Sequence, residues 1–233
     1  MKTKRYLSYG AGVNSTALML LLKDEGIEFE SVFVDHGGDY PETYDYVDYL
    51  KKKGYEITVL VPEASGCRTI EEYAHKYNLF PGFHFRWCTK HFKIKPLHKY
   101  YAKPCVDYIG IGKDEERRIQ NYRKVPGITA QYPLIEKGID RNNCIDIIKE
   151  HGLKVPRRSG CWCCPFMSKP EVRRLFLEQP DLYKRRKELE EAVVFKKSKP
   201  IALSSARKSV RDMAMENIPP IESYDLCSGK ARS

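Results

Sequence analysis

The stretch RYLSYGAGVNST, residues 5–16, decides the fold. Its first five residues have the composition of a short strand, and residues 15–25 carry apolar side chains at helical spacing. The segment between them, which contains two glycines, is therefore a strand-to-helix loop. Glycines let a backbone approach a phosphate closely, and the N-terminus of a helix adds partial positive charge. The pattern predicts an anion-binding loop; the alternative is an ordinary turn capped by Asn14 or Ser15.

Strand-like and helix-like segments alternate after this loop. Further β-rich runs occupy residues 29–34, 56–61 and 106–111, and helical patterns cover residues 41–53, 69–78 and 90–102. Parallel strands need crossovers of this length, so the pattern predicts an α/β fold with a Rossmann-like parallel sheet flanked by helices. Ligands of such sheets bind at the carboxyl ends of the strands.

Composition places the chain among globular proteins, with 42% hydrophobic and 31% charged residues. Because neither a membrane-length apolar run nor a signal-peptide pattern occurs, we expect a cytoplasmic protein without membrane contact. Its eight cysteines are then reduced thiols. From residue 142 the pattern becomes helical. We therefore expect two parts, an α/β domain over residues 1–153 and a helical, cysteine-containing region over residues 154–233.

The net charge of +10 is concentrated in the second part. Residues 1–150 carry 23 Lys and Arg against 21 Asp and Glu, whereas residues 151–233 carry 18 against 10. A basic region of this kind suggests a nucleic acid, tRNA or DNA, as partner. The alternative is a solvated helix face whose basic residues pair with Glu188, Glu190 and Glu191.

The loop at residues 8–15 resembles the pyrophosphate loop of the adenine-nucleotide α-hydrolase superfamily, whose pattern is Ser-x-Ser-Gly-Gly-Lys-Asp-Ser. Ser8, Gly12 and Ser15 match this pattern. Val13 and Asn14 stand at the positions of its lysine and aspartate. The resemblance implies a PP-loop (ATP pyrophosphatase) fold of the HUP type that binds an adenine nucleotide, with magnesium when the nucleotide is ATP.

Two later segments resemble phosphoadenosine phosphosulfate reductases. FVDHGGDYPET, residues 33–43, is similar to their Phe-Val-Asp-Thr-Gly-x-x-x-Pro-Glu-Thr, and GIGKDEERR, residues 110–118, to their Gly-Ile-Arg-x-Asp-Glu-Ser-x-Arg. The resemblance implies that the three loops gather around the nucleotide. The residues expected to contact it are Ser8, Gly10, Ala11, Gly12, Asn14, Ser15, Thr16, Asp35, Gly110, Asp114, Glu115 and Arg118. The alternative is a solvated helix start at residues 114–118 and a helix cap at Asp35.

Three cysteines lie in CWCCP, residues 161–165, and Cys88 lies 73 residues before the first of them. A Cys-x-x-Cys spacing lets two thiolates reach one metal or cluster. Adenylylsulfate reductases place a Cys-Cys pair and a later Cys-x-x-Cys around a 4Fe–4S cluster, and this chain resembles them with Trp87 at the first position of the pair. The resemblance implies Cys88, Cys161 and Cys164 as ligands, with Cys163 or Cys67 as a fourth, or with one iron left open. Zinc is the competing metal.

Cys227 lies in the tail DLCSGKAR, residues 225–232. Sulfonucleotide reductases attack their substrate with a tail cysteine, usually in Glu-Cys-Gly-x-His, and this tail lacks the Glu and the His. Cys227 is therefore the catalytic candidate for a reductase and otherwise an ordinary thiol.

Together these features favour an adenine-nucleotide-binding enzyme of sulfur chemistry, which activates an acceptor with ATP and transfers sulfur to it with an iron–sulfur cluster. The first alternative is a reductase of adenylylsulfate or its 3′-phosphorylated form. The second is a zinc-containing nucleic-acid-binding module with a vestigial nucleotide loop. Either reaction requires a sulfur donor or a reductant protein, which the sequence does not identify.

Overall fold

A computed structural model describes residues 3–82, 85–121 and 124–194 of the chain, together with the strand residues 224–225 and 230–231. Five parallel strands form one sheet in the order β3-β2-β1-β4-β5. They are β1 (Lys4–Tyr9), β2 (Glu30–Val34), β3 (Ile57–Leu60), β4 (Cys105–Ile109) and β5 (Ile128–Gln131). A separate antiparallel pair joins β6 (Tyr224–Asp225) and β7 (Lys230–Ala231).

Helices connect the parallel strands and follow the last of them, as crossover geometry requires. They are α1 (Val13–Asp24), α2 (Pro41–Lys52), α3 (Ile70–Tyr77), α4 (Trp87–Thr89), α5 (Lys95–Tyr100), α6 (Pro133–Glu136), α7 (Arg141–Glu150), α8 (Lys169–Glu178) and α9 (Pro180–Val194). A π-helical turn spans Lys90–Ile94, and a 3-10 helix spans Lys113–Asn121. None of the helices in the described part of the chain has both the length and the apolar character that a bilayer crossing requires.

The expected α/β fold with a parallel sheet is confirmed, and two elements differ from the sequence pattern. β5 was not predicted, because its four residues alternate too briefly to stand out from a loop. The single helix expected over residues 90–102 is divided into a π-helical turn and α5. Pro96 explains the division, since proline has no N–H to continue the hydrogen-bond series of the preceding turn.

The chain forms two compact units. The sheet unit comprises residues 1–34, 41–60 and 96–159, and its main core packs α1 and α7 against the strands, with Leu7, Leu18 and Ile148 fully buried. The cysteine unit comprises the described parts of residues 35–40, 61–95 and 160–233, and its core is built around Trp87, Trp162 and other buried side chains. The folding boundary expected between residues 153 and 154 stays a prediction.

Candidate functional site

In the sheet unit, β1 has β2 on one side and β4 on the other, so the strand order reverses direction at β1. A parallel sheet opens a crevice at such a point, beyond the carboxyl ends of the two strands on either side of the reversal. The loop from Gly10 to Gly12 follows β1, and the loop from Gly110 to Gly112 follows β4. The fold therefore brings two of the three predicted nucleotide loops to the same crevice.

The first of these loops is stabilised from within. The hydroxyl of Ser15 accepts hydrogen bonds from the backbone N–H groups of Gly10 (3.3 Å) and Gly12 (3.2 Å) and donates one to the carbonyl of Gly12 (3.1 Å). Ala11 adopts a left-handed conformation, φ 51°, in which residues other than glycine are rare. Ser15 thus shapes the loop and has no proton left over for a ligand in this arrangement.

Glycine is required where the second loop meets α1. A Cβ atom on Gly110 would lie 2.8 Å from the Cα and 2.9 Å from the backbone N of Ser15. On Gly10, by contrast, a Cβ would meet nothing within 4 Å, and this residue is exposed. The loops are therefore tightly packed on their inner side and open at Gly10.

Asn14 carries an unsatisfied buried atom in the same loop. Its amide Nδ2 donates to Glu115 Oε2 at 3.2 Å, and because a carboxylate only accepts, this bond fixes the orientation of the amide. The carbonyl Oδ1 has no hydrogen-bond partner among the described residues. Asn14 as a whole is only 7% exposed, so this oxygen is buried. Arg118 donates to the other oxygen of Glu115 at 2.8 Å. Buried acceptors without partners are uncommon, so Oδ1 marks a place for a donor or a cation.

A buried carboxyl group lies beneath Ser8. Ser8 Oγ donates to Asp107 Oδ1 at 2.8 Å, and the hydroxyl of Tyr101 donates to the same oxygen at 3.2 Å. Burial raises the pKa of Asp107 to about 6, against the lowering effect of these hydrogen bonds. Sequence reasoning did not identify Asp107, because it stands in a strand whose pattern is otherwise apolar.

The other predicted nucleotide contacts have different positions. Thr16 is fully buried, and its hydroxyl lies 3.1 Å from that of Tyr9, inside the core. Asp35 belongs to the cysteine unit, where Oδ1 accepts from the N–H of Gly37 at 3.0 Å. Asp114 is exposed at the start of the 3-10 helix. Most of the predicted residues, Thr16 among them, therefore belong to the sheet unit, and Asp35 belongs to the cysteine unit.

In the cysteine unit the predicted metal ligands come from two segments of the chain. Cys88 lies in α4, and the other three lie in a turn before α8, in which the N–H of Cys164 donates to the carbonyl of Cys161 at 3.0 Å. Burial raises the pKa of each thiol of this turn. Cys88 is close enough for its charge to add to the shifts of both Cys163 and Cys164.

Two cations lie among these cysteines. Burial would lower the pKa of Lys93, which extends from the π-helical turn, but the negative charges of Cys161, Asp39, Cys88 and Cys164 outweigh burial and raise it. Lys93 in turn opposes the rise in the pKa of Cys161. π-Helical turns are frequent at functional sites, but no sequence signal distinguished this one.

Arg186 is the second cation, and its side chain is completely buried. Its Nη1 donates to the carbonyls of Trp162 (2.9 Å) and Cys164 (3.0 Å), so α9 holds the cysteine turn by its backbone. Arg186 also lowers the pKa of Cys163 against the effect of burial. Sequence reasoning treated it as part of a basic helix face. Its spacing from Leu182 and Leu189, four and three residues away, is the signal that places it on the buried side.

One further group of possible metal donors lies beside Cys161. The ligand atoms of His36, Asp39 and Cys161 all lie within 4.8 Å of one another, and in the described residues no other set of three His, Cys, Asp or Glu donors does. Burial, with the charge of Lys93, lowers the pKa of His36 to about 2. Neither His36 nor Asp39 was singled out from the sequence, although both lie in the motif at residues 33–43.

The structure describes three further cysteines. Cys67 is buried in the same unit, and its thiol donates to the carbonyl of Ser65 at 3.9 Å. Cys105 and Cys144 are buried in the sheet unit. Cys227 lies outside the described residues.

Basic residues on α9 pair with acidic neighbours. Lys184 lies 4.0 Å from Glu188, and Lys187 lies 3.7 Å from Glu191. Arg185 pairs with Glu71 of α3. These pairs match the solvated, paired helix face that the sequence left as the alternative to a nucleic-acid contact.

Comparison with known proteins decides the family. The model of the phosphoadenosine phosphosulfate reductase domain matches residues 4–131, which is more than half of the chain. The chain belongs to this family. The match covers both glycine loops, Cys88 and all five strands of the parallel sheet. Membership of the reductase-domain family indicates nucleotide-related sulfur chemistry.

Individual proteins that match the chain have low sequence identity to it. The uncharacterized protein MJ0973 of Methanocaldococcus jannaschii is 28% identical over 201 residues, covering 78% of this chain and 47% of its own length. The uncharacterized protein MJ0066 of the same organism is 25% identical over 200 residues, and the match covers 77% of this chain and 40% of MJ0066. The chain thus spans less than half the length of these relatives. A crystal structure of phosphoadenylyl-sulfate reductase from Candida auris, a phosphate complex, is similar with a TM-score of 0.49 at 16% identity, covering 67% of this chain and 75% of that one.

Proposed function

We propose that this chain is an enzyme that binds an adenine nucleotide in the sheet unit and uses an iron–sulfur cluster, held by Cys88, Cys161 and Cys164, to transfer sulfur to an acceptor. The observation that carries the proposal is the cysteine centre itself. Cysteines from two distant segments interact electrostatically with one another and with two cations, Lys93 and Arg186. Positive charge stabilises thiolates, which are the form that binds metal.

The donor set fits an iron–sulfur cluster. Four thiolates suit zinc and iron equally, but a tetrahedral zinc with bonds of about 2.3 Å holds its sulfurs within about 4 Å of one another. The sulfurs of Cys88, Cys161 and Cys164 do not form a group within 4.8 Å among the described residues. A wider spacing suits a cluster of several irons. When bound, such a cluster supplies electrons or an iron that can hold a sulfur atom.

The nucleotide loops support the other half of the proposal. The first N–H groups of α1 have no partners within the helix, and Gly10 leaves the loop open for a phosphate. If the nucleotide is ATP, the unpaired carbonyl of Asn14 and the carboxylates of Asp114 and Glu115 are the oxygen donors that magnesium prefers. These oxygens would take the place of the aspartate that the loop lacks, and the magnesium ion would supply the positive charge that the missing lysine does not.

Reduction of a sulfonucleotide is the second candidate, favoured by the motif at residues 33–43 and by the family. It needs Cys227 as the nucleophile. Anaerobic purification with iron and sulfide analysis, followed by titration with ATP, adenylylsulfate and its 3′-phosphorylated form, tests both candidates. Iron with acid-labile sulfide and preferential ATP binding supports the proposal. Stoichiometric zinc without iron overturns the cluster, and preferential sulfonucleotide binding with loss of turnover in Cys227→Ser favours the reductase.

The nucleotide loop is tested by Gly10→Ala. Nothing lies within 4 Å of the added methyl, so we expect an unchanged melting temperature. If a phosphate rests on this loop, the methyl obstructs it, and the dissociation constant of the nucleotide should rise about tenfold or more. Gly82→Ala, which also has open space around it but lies in the cysteine unit, is the matched control. Equal affinity of wild type and Gly10→Ala would place the phosphates elsewhere.

A further inference from the structure

His36 has a defined neighbour at each ring nitrogen. It is fully buried in the cysteine unit. Nδ1 lies 3.1 Å from the backbone N of Gly38. Nε2 lies 3.6 Å from Sγ of Cys161 and 3.3 Å from Oδ2 of Asp39. In the motif that residues 33–43 resemble, this position is a threonine, so the imidazole is a feature of this chain.

The first contact fixes where the imidazole proton is. A backbone N–H can only donate, so Nδ1 accepts the bond from Gly38 and carries no proton. In the neutral ring the proton is therefore on Nε2, the nitrogen that faces Cys161. A protonated Nε2 cannot ligate a metal, and it cannot take a proton from the thiol. The geometry leaves His36 one role toward the sulfur, that of hydrogen-bond donor.

Backbone contacts hold the two partners in place. The N–H of Trp162 donates to the carbonyl of Gly38 at 2.9 Å, and the N–H of Tyr40 donates to the carbonyl of Gly160 at 3.2 Å. Gly38 therefore bonds both the ring of His36 and the segment that carries Cys161. A Cβ on Gly38 would lie 3.1 Å from Nδ1, so the ring is closely packed against the backbone.

The hydrogen bond also distinguishes Cys161 from the other ligands. No side chain hydrogen-bonds the sulfur of Cys88 or Cys164 within the part of the chain that the structure describes. A hydrogen bond to a ligand sulfur draws negative charge from it and favours the reduced state of a bound cluster. Asp39 competes for the same proton, and the positive charge of Lys93 acts on the same sulfur.

We propose that His36 is a positioning residue that donates its Nε2 proton to the sulfur of Cys161, orienting this ligand and raising the reduction potential of the cluster. The inference rests on the proposed function, because it requires the cluster. It assigns Cys161 a different electronic environment from that of Cys88 and Cys164.

The test uses the full chain, purified anaerobically, with iron analysis and an EPR-monitored redox titration. His36→Leu removes the donor, and we expect a more negative midpoint potential at unchanged iron content. His36→Gln keeps an N–H donor at a similar distance from the sulfur, and its midpoint potential should return most of the way to the wild-type value. His75→Gln, at an exposed position on α3, is the control and should match wild type. If His36→Leu has the iron content and the midpoint potential of wild type, the inference about His36 is overturned and the cluster proposal is unaffected.

A measurement on the wild type covers the case in which His36→Leu does not fold. With ¹⁵N-histidine in the reduced protein, pulsed EPR should detect a weak nitrogen coupling, which His36→Gln removes. A strong coupling would mean direct ligation by His36, and no coupling would mean no contact; both overturn the inference. Absence of iron from the wild type overturns the cluster proposal itself.

Discussion

Asp107 shows how one residue links the core of the sheet unit to its nucleotide loop. It stands in β4, opposite Tyr6 of β1 in the strand register, and it is 2% exposed. Two hydroxyls donate to its Oδ1, one of them from Ser8 at the end of β1. When Asp107 is ionised, the Ser8 proton is committed to it. Ser8 therefore supports the loop from below and presents only acceptor lone pairs to a ligand.

The pKa of Asp107 gives a prediction for stability against pH. Because burial raises its pKa from 3.8 to about 6, the folded protein retains a proton that the unfolded chain releases between these values. The resulting stability is present in full below pH 3.8 and is lost as pH rises through about 6. In urea unfolding from pH 4.5 to 7, the stability of Asp107→Asn relative to wild type should rise by about 2 kcal/mol, out of a full difference of about 3 kcal/mol from below pH 3.8 to above pH 6.

The control for this prediction is Asp48→Asn, which removes a carboxylate from an exposed position on α2. Parallel stability profiles for wild type and Asp107→Asn would contradict the raised pKa of Asp107.

At the scale of elements, α9 has two faces with different roles. Its exposed residues, such as Lys184, form ion pairs within the helix, which contribute little to stability. Its buried face carries Arg186, which spans from the helix to the backbone of the cysteine turn. The guanidinium lies 3.6 Å from Glu190 and 5.4 Å from the ring centre of Phe80. The helix thus acts as the support of the cysteine centre.

Substitution of Arg186 should therefore lower both the stability of the fold and the amount of metal bound. Arg186→Gln removes a buried charge and two carbonyl hydrogen bonds, and we expect a loss of about 3 kcal/mol in the free energy of unfolding, with reduced iron content. Lys184→Gln removes the same charge from the exposed face and should cost less than about 1 kcal/mol. Urea unfolding and iron analysis of both variants check this. Equal losses would mean that Arg186 does not hold the turn.

At the scale of the whole molecule, the nucleotide loop and the cysteine centre lie in different compact units. The core of the sheet unit is built from apolar side chains of strands and helices. The cysteine unit has a second apolar core, but it also buries Cys163 and Arg186 and half-buries Cys161, Cys164 and Lys93. A bound metal would offset the unfavourable burial of these groups.

Metal removal should consequently act on one unit. After chelation, amide hydrogen exchange should accelerate about tenfold or more in peptides from residues 61–82, 85–95 and 160–194, because a ligand stabilises the state that binds it. Peptides from β1 and β4 should exchange at the rate of the loaded protein. Uniform acceleration in both units would show that the metal stabilises the chain as a whole.

The positive charge of the chain is unevenly distributed between α9 and the sequence that follows it. On α9, three of the four residues from Lys184 to Lys187 lie beside acidic partners at the surface, and Arg186 is buried. Residues 195–233 carry eight Lys and Arg against four Asp and Glu. A nucleic-acid partner therefore stays a proposal, and the part of the sequence after α9 is where its contacts are best sought.

The sequence by itself determined the parallel α/β fold, the glycine loop and the cysteine spacing. Strand and helix periods, turn residues and Cys-x-x-Cys are local patterns, and local physics is enough to interpret them. Only the tertiary structure decided that Arg186 and not Lys184 is buried, that His36 faces Cys161, and that Asp107 supports Ser8. These outcomes depend on which distant segments pack together, and burial then changes the chemistry of the same side chains.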